Sequence, residues 1–258
     1  MNRITIRALQ QMKRDVRKIV GAVVYDYQMA QIVDRAGVDI VSIGDSVGVN
    51  IWGYSSESDV TLEQMLLVCR AVRRGVTRAL GSCDLPGSGD PAAAARVLAD
   101  DGGADMVKLE AAPETIRTIV ESNIAVWAQL SGQVSGQSAV GSGQGSGQWA
   151  VGSGQDIAGL VTQAKALEAA GASLLDFRHS GPEAGPAVAR AVSIPVLGGL
   201  GGGPWLDGRI RAVVNAIGYT ASALEDGADR YANVARVAFD AITAYADDVR
   251  GGRQIRGK

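Results

Sequence analysis

Short apolar runs alternate with amphipathic segments along most of this chain. Val20–Tyr25, Asp39–Gly44, Ala79–Cys83, Met106–Leu109, Ile124–Leu130, Leu174–Phe177 and Ile194–Leu197 read as strands, since a parallel strand covered on both faces is a near-continuous apolar run. Between them, Gln28–Ala36, Leu62–Arg74, Pro113–Glu121, Ile157–Ala170 and Pro182–Ala191 carry helical spacing, and Pro91 opens a further helix as a first-turn proline. Leu62–Arg74 sets an apolar stripe against a solvent face of Arg70, Arg73 and Arg74. Ala36-Gly37, Gly102-Gly103 and Ala170-Gly171 punctuate the passage into several strands. After the seventh strand the reading is helix over Arg209–Ile217, a short eighth strand at Gly218-Tyr219 and a long last helix over Gly227–Val249. Repeated strand–helix units of this size predict an α/β fold, a single (β/α)8 TIM barrel domain over residues 1–258.

Two segments break the alternation. Ser131–Gln155 contains Ser-Gly-Gln five times, a linker composition placed after the fifth strand, where long barrel loops serve as lids. Trp149 is its sole aromatic residue and a candidate anchor for a closed form. The second is Gly198–Pro204, glycine-rich and following the seventh strand, where backbone N–H groups can approach an anion or simply make a turn. It lacks the spacing of a dinucleotide fingerprint and holds no Walker lysine.

Bulk properties narrow the function classes. The 258 residues are 47% apolar, enough for one large core. A net charge of −2, from 25 basic and 27 acidic residues, argues against nucleic-acid or membrane partners. Basic clusters at Lys13/Arg14/Arg17/Lys18 and at Arg250/Arg253/Arg256/Lys258 read as solvated faces and a frayed tail. Only two cysteines occur, Cys69 and Cys83, which fits a reducing compartment. With no apolar span long enough for a membrane helix and no leader-like N-terminus, the expectation is a cytoplasmic protein.

Three strands end on acids: Ile40–Asp45, Ala79–Asp84 and Asp105–Glu110. Barrel active sites lie at strand C-termini, so Asp45, Asp84 and Glu110 are candidate ligands for Mg²⁺, a hard cation that takes carboxylate oxygens and keeps waters. Lys108 stands two residues before Glu110 and shares its face, placing an ammonium where it can polarise a carbonyl or steady an enolate.

These residues, with Tyr25-Asp-Tyr27, Gly44-Asp-Ser46, Gly53-Tyr54, Val60-Thr-Leu62, Arg70–Gly75, Asp84-Leu-Pro86, Gly102–Glu110, Ser193-Ile-Pro195 and Asp207-Gly208, resemble the ketopantoate hydroxymethyltransferase family over nearly the whole chain. The resemblance implies a barrel of the phosphoenolpyruvate/pyruvate type, Mg²⁺-dependent and a homo-oligomer, usually a decamer. It implies transfer of a hydroxymethyl group from 5,10-methylenetetrahydrofolate to the β-carbon of a small carboxylate, 3-methyl-2-oxobutanoate. By motif match Asp45 and Asp84 would hold the metal, directly or through water, with Glu110 close by. Ser46 would touch the substrate carboxylate and Lys108 its carbonyl oxygen, with Tyr25 and Gln129 as further substrate-binding candidates.

The departures fall at the chemistry. Gln129-Leu-Ser131 stands where the family has His-x-Gly-x-Thr-Pro-Gln, Gly87 stands where it has Phe, and ungapped counting from Gly171 to Pro195 puts Arg178 at the family's catalytic Glu. A guanidinium stays protonated and cannot abstract a proton, but offers a planar fork to a carboxylate or phosphate. Asp176, two residues earlier on the same face, is either the partner of Arg178 or a relocated base. His179, the only histidine, would lie on the opposite face if the strand continued, and is a further catalytic candidate. Three functions follow: a Mg²⁺-dependent enzyme of altered substrate making or breaking a C–C bond beside a 2-oxo acid by aldol-type chemistry; the family's own reaction run with a base such as Asp176 or Tyr25; and a non-catalytic barrel that binds a ligand.

Overall fold

The computed structural model describes residues 3–87, 89–130, 156–199 and 203–252. The Ser131–Gln155 loop, and with it the expected lid, lies outside the described residues, as do residues 200–202 of the glycine-rich run. Eight parallel strands close a barrel in chain order: β1 (Ile19–Val24), β2 (Ile40–Ile43), β3 (Leu80–Asp84), β4 (Met106–Leu109), β5 (Ala125–Gln129), β6 (Leu174–Asp176), β7 (Val196–Gly198) and β8 (Gly208–Ala212). The helices are α1 (Ile6–Arg14), α2 (Tyr27–Ala36), α3 (Leu62–Gly75), α4 (Pro91–Arg96), α5 (Pro113–Glu121), α6 (Ile157–Ala169), α7 (Ala184–Ala191), α8 (Val213–Ala216) and α9 (Val234–Arg250).

Local chemistry explains the boundaries. Asp26 caps α2 through Met29 N–H, and Gly37, at φ 91°, ends it in the left-handed conformation that glycine adopts without strain. Thr61 and Gln64 form a reciprocal capping box on α3, and Asp90 with Pro91 starts α4. The Asp34 carboxylate, at the end of α2, accepts from Thr77 N–H at 3.0 Å, Thr77 Oγ1 at 2.8 Å, Arg78 N–H at 3.2 Å and Ala79 N–H at 2.8 Å, and so holds the entry to β3.

Inside the barrel the lowest layer is apolar: Ile19, Ile40, Leu80, Met106, Trp127, Leu174, Leu197 and Ile210, closed from below by Leu9 and Met12 of α1. Helix α1 had no counterpart in the sequence reading. Its Lys13 fixes it, with Nζ donating to Ala189 O at 2.7 Å and Ile194 O at 2.8 Å and pairing with Asp207 at 2.9 Å.

The end of the chain corrects three expectations. Residues 208–212 form the eighth strand, not Gly218-Tyr219, and helix occupies only Val213–Ala216 of the expected Arg209–Ile217. Gly208, Ile210 and the exposed Arg209 alternate with period two, a strand signature masked by its arginines. The last helix starts at Val234 instead of Gly227. The contact pattern divides the chain into two compact units, the barrel through Arg211 and a second unit whose described part runs from Ala212 to Gly252. Within the second unit α8, a 3₁₀ turn over Ala221–Leu224 and α9 follow one another, with Asn233 capping α9 through Arg236 N–H. No described helix is long and apolar enough to cross a membrane.

Candidate active site

The C-terminal ends of β1 to β6 deliver the candidate residues to one mouth. Tyr25 follows β1, Asp45 and Ser46 follow β2, Asp84 ends β3, Lys108 lies in β4 with Glu110 just beyond it, Gln129 ends β5, and Asp176 ends β6 with Arg178 and His179 just after.

At the first of these ends Tyr25 is buried. Its Oη lies 2.9 Å from Ser46 Oγ and accepts from Asn50 Nδ2 at 3.1 Å, while Asn50 Nδ2 also donates to Ser46 O at 2.9 Å. Burial pushes the phenol up to about 12, so it stays protonated. With Asn50 donating to Oη, the phenol proton can go to Ser46, which frees the serine proton for a substrate oxygen. Asn50 was not singled out from the sequence. It projects back onto Ser46 because the chain after β2 winds into a π-helical turn over Gly48–Trp52, a geometry with no simple sequence signal.

Asp45 and Asp84 come together. The Asp45 N–H donates to the Asp84 carboxylate, burial and the nearby Asp84 charge raise Asp45 to about 7, and burial also raises Asp84. Asp84 Oδ1 is buried without a hydrogen-bond partner among the described residues. A Cβ on Gly44 would stand 2.8 Å from Ser46 Oγ and 3.8 Å from Asp84 Oδ2, so only glycine leaves this cradle open. Two close, buried carboxylates whose charged forms burial disfavours, one of them with an orphan oxygen, fit a hard divalent cation that keeps most of its waters. Glu110 does not join them: it is exposed, Gln129 Nε2 donates to its Oε2 at 3.2 Å, and the described residues contain no cluster of three His, Cys, Asp or Glu able to hold a metal. The three converging acids of the sequence reading are thus a pair plus one engaged with Gln129. Glu110 lies beyond the last residue of β4, where chain direction is no longer set by the strand.

Lys108 and Arg178 meet on one oxygen. Asp176 Oδ2 accepts from Arg178 Nε at 3.2 Å and pairs with Lys108 Nζ at 3.0 Å, and Lys108 Nζ stands 3.8 Å from Asp84 Oδ1. Burial would depress both cations, but Asp176 and Asp84 outweigh it and hold both above their ordinary values. Of the two readings of Asp176, the geometry makes it the partner of Arg178, and of Lys108 as well. The Lys108 ammonium also lies 5.3 Å from the centroid of the Trp127 ring, a cation–π neighbour not foreseen from sequence. β6 stops at Asp176, so His179 is on no strand face; it sits at φ 52°, a left-handed conformation rare for a non-glycine residue. Burial and then Arg178 lower its pKa, favouring neutral imidazole.

A profile described as ketopantoate hydroxymethyltransferase matches residues 3–254. The 3-methyl-2-oxobutanoate hydroxymethyltransferase of Chloroflexus aurantiacus is 34% identical, over 97% of this chain and 90% of its own. That of Alkalilimnicola ehrlichii is 32% identical, over 96% and 91%. Among solved structures, a phosphonopyruvate hydrolase complex with oxalate and Mg²⁺ superposes with a TM-score of 0.62 at 14% identity, covering 97% of this chain and 88% of its own. A 2,3-dimethylmalate lyase of the PEP mutase/isocitrate lyase superfamily gives 0.62 at 17%, covering 95% and 98%. The structural likenesses show the fold; the profile and the relatives place the sequence, and the chain belongs to the ketopantoate hydroxymethyltransferase family as an enzyme of the transferase or C–C lyase kind.

Proposed function

We propose that this enzyme acts on a 2-oxo acid, with Mg²⁺ as cofactor, by aldol-type formation or cleavage of a C–C bond, and that its substrate carries a second anionic group. The observation that carries the reading is the shared oxygen of Asp176, which sets Lys108 and Arg178 side by side next to the Asp45/Asp84 pair.

Asp45 and Asp84 would hold the metal, which when bound supplies a Lewis acid to the carboxylate and carbonyl oxygens of a 2-oxo acid. Ser46 donates to the carboxylate, its own oxygen being supported by Tyr25. Lys108 donates to the C2 oxygen and keeps its proton there, so it stabilises negative charge that grows as a carbanion forms at C3. Arg178, with about a third of its side chain exposed, has N–H groups beyond its Nε bond to Asp176 to offer a carboxylate or phosphate. One group near the mouth can move the C3 proton without giving up an ion pair: the neutral imidazole of His179.

A second reading is the reaction named for the relatives, transfer from 5,10-methylenetetrahydrofolate to 3-methyl-2-oxobutanoate, favoured by 34% identity over nearly the full chain. Exchange of the C3 proton separates the two. In deuterated buffer with Mg²⁺ and no folate, the proposal expects little exchange into 3-methyl-2-oxobutanoate and some recovery in Arg178→Glu. Rapid exchange by the unaltered protein returns the assignment to the second reading. The protein is also proposed to be a homo-oligomer, since α9 leaves Val237, Ile242, Tyr245 and Val249 at least half exposed; a monomer mass by light scattering would refute this.

A further inference from the structure

Between β6 and α7 the chain leaves the sheet, and contacts from elsewhere must hold it. Phe177 N–H donates to Leu197 O at 2.7 Å, and helix resumes only at Ala184. Arg178 and His179 lie in this turn, with His179 at φ 52°. A non-glycine residue in that conformation is disfavoured by roughly 5- to 30-fold and persists only where its surroundings over-determine it.

The surroundings come from the connection between β7 and β8. Trp205 Nε1 donates to Ser180 Oγ at 2.9 Å, and Ser180 is fully buried. Ser180 O in turn accepts from Gly185 N–H at 3.0 Å, so the residue that the indole holds also opens α7. Two glycines make room for the ring: a Cβ on Gly185 would stand 2.3 Å from Trp205 Cδ1, and one on Gly203 would stand 2.3 Å from Trp205 Cη2. The backbone on either side of the tryptophan is pinned, because Lys18 Nζ donates to both Pro204 O and Leu206 O. Asp207 ties the same segment to β7, its N–H donating to Val196 O at 2.9 Å and its carboxylate accepting from Val196 N–H at 2.8 Å. The ring thus reaches Ser180 from a base fixed to the barrel. Trp205 borders an open cleft with Lys13, Arg17 and Arg190 instead of joining the apolar layer of the barrel, so core packing does not account for an indole here.

We propose that Trp205 is a positioning residue whose indole N–H, through Ser180, fixes the turn that holds Arg178 and His179 at the mouth. This rests on the roles proposed above for those two residues and adds the group that sets their direction. A neutral hydrogen bond biases a local equilibrium by about 2- to 12-fold, comparable with the penalty on the left-handed residue, so its loss should let the turn relax.

His179 is the only histidine, so labelling the full chain with histidine carrying ¹³C at Cε1 gives one resonance, and it reports on this turn. Trp205→Phe keeps an aromatic ring and removes the donor; Ser180→Ala keeps the indole and removes the acceptor. Each should shift or broaden the His179 resonance, and the double variant should change it no further, with far-UV dichroism unchanged. In calorimetry with Mg²⁺, each should weaken 2-oxoglutarate, which offers Arg178 a second carboxylate, at least ~5-fold and leave 2-oxopentanoate within ~2-fold. A resonance unmoved in both variants overturns the proposal, as does equal weakening of the two acids, the result a purely structural tryptophan would give. A parent protein that binds the two acids equally, or neither, defeats the second-anion reading instead, and the His179 resonance then decides for or against the tether by itself.

Discussion

Replacing Asp176 by Ala tests the ion-pair arrangement at its centre. The carboxylate is fully buried and pairs at 3.0 Å with Lys108, whose side chain is 6% exposed, and at 3.2 Å with Arg178, at 36%. Without it Arg178 can turn to solvent, but Lys108 keeps only Asp84, at 3.8 Å. A buried charge that loses its partner costs about 3–5 kcal/mol. At about 2–4 °C per kcal/mol for a chain of this size, the melting temperature should fall by about 6–20 °C. Lys108→Met removes the stranded charge, so the double variant should be less destabilised than the sum of the singles by at least about 2 kcal/mol. Because the folded Lys108 pKa is raised, its contribution is fully present below the ordinary lysine value of about 10.4 and is lost only as pH rises through the higher folded value. The penalty should therefore be flat from neutral pH to about pH 10. Urea unfolding followed by tryptophan fluorescence and far-UV dichroism, required to coincide, supplies the numbers. An Asp176→Ala protein within 1 kcal/mol of the parent would refute the reasoning, as would additive single and double variants.

Asp45→Ala or Asp84→Ala should weaken Mg²⁺ binding at least ~10-fold in calorimetry, each removing one hard anionic oxygen; unchanged affinity in both would end the metal assignment. Asp34→Asn should cost about 2 kcal/mol at neutral pH, since the carboxylate loses charge-assisted bonds from the Thr77–Ala79 turn. Burial opposes ionisation of Asp34, but those bonds outweigh it and lower its folded pKa, so the difference from the parent is present above the unfolded pKa and closes as pH falls through the folded one; equal gaps at neutral and strongly acidic pH would contradict this. Gly208→Val should prevent barrel closure, because a Cβ there presses into the Ile19 carbonyl oxygen; a soluble variant with parental melting temperature would count against it.

The barrel was legible because parallel strands buried on both faces write themselves as apolar runs, and Met106–Leu109 and Pro113–Glu121 match to the residue. β8 was not, because Arg209 and Arg211 imitate the solvent face of a helix over so short a stretch. At the site, Asp84 and Lys108 could be placed by strand phase alone, whereas Asp45, past the end of β2 and out of phase with Ile40, could not. Arg178 and His179 could not, since β6 ends before them and their direction comes from a turn that includes a left-handed residue.

The Lys13 anchor has a kinetic corollary. Its partners, Ala189, Ile194 and Asp207, follow it by 176 to 194 residues. Helix α1 therefore leaves the ribosome before any strand of the barrel, while its seat is completed only with the last of them. At synthesis speeds of about 5–20 residues per second, the amphipathic plug waits roughly 10–40 s with Leu9 and Met12 uncovered. Nearly all of the barrel must exist before its underside can shut, so closure is a late, long-range event, and a nascent chain stalled before β7 would present an open underside to any chaperone that binds apolar surface.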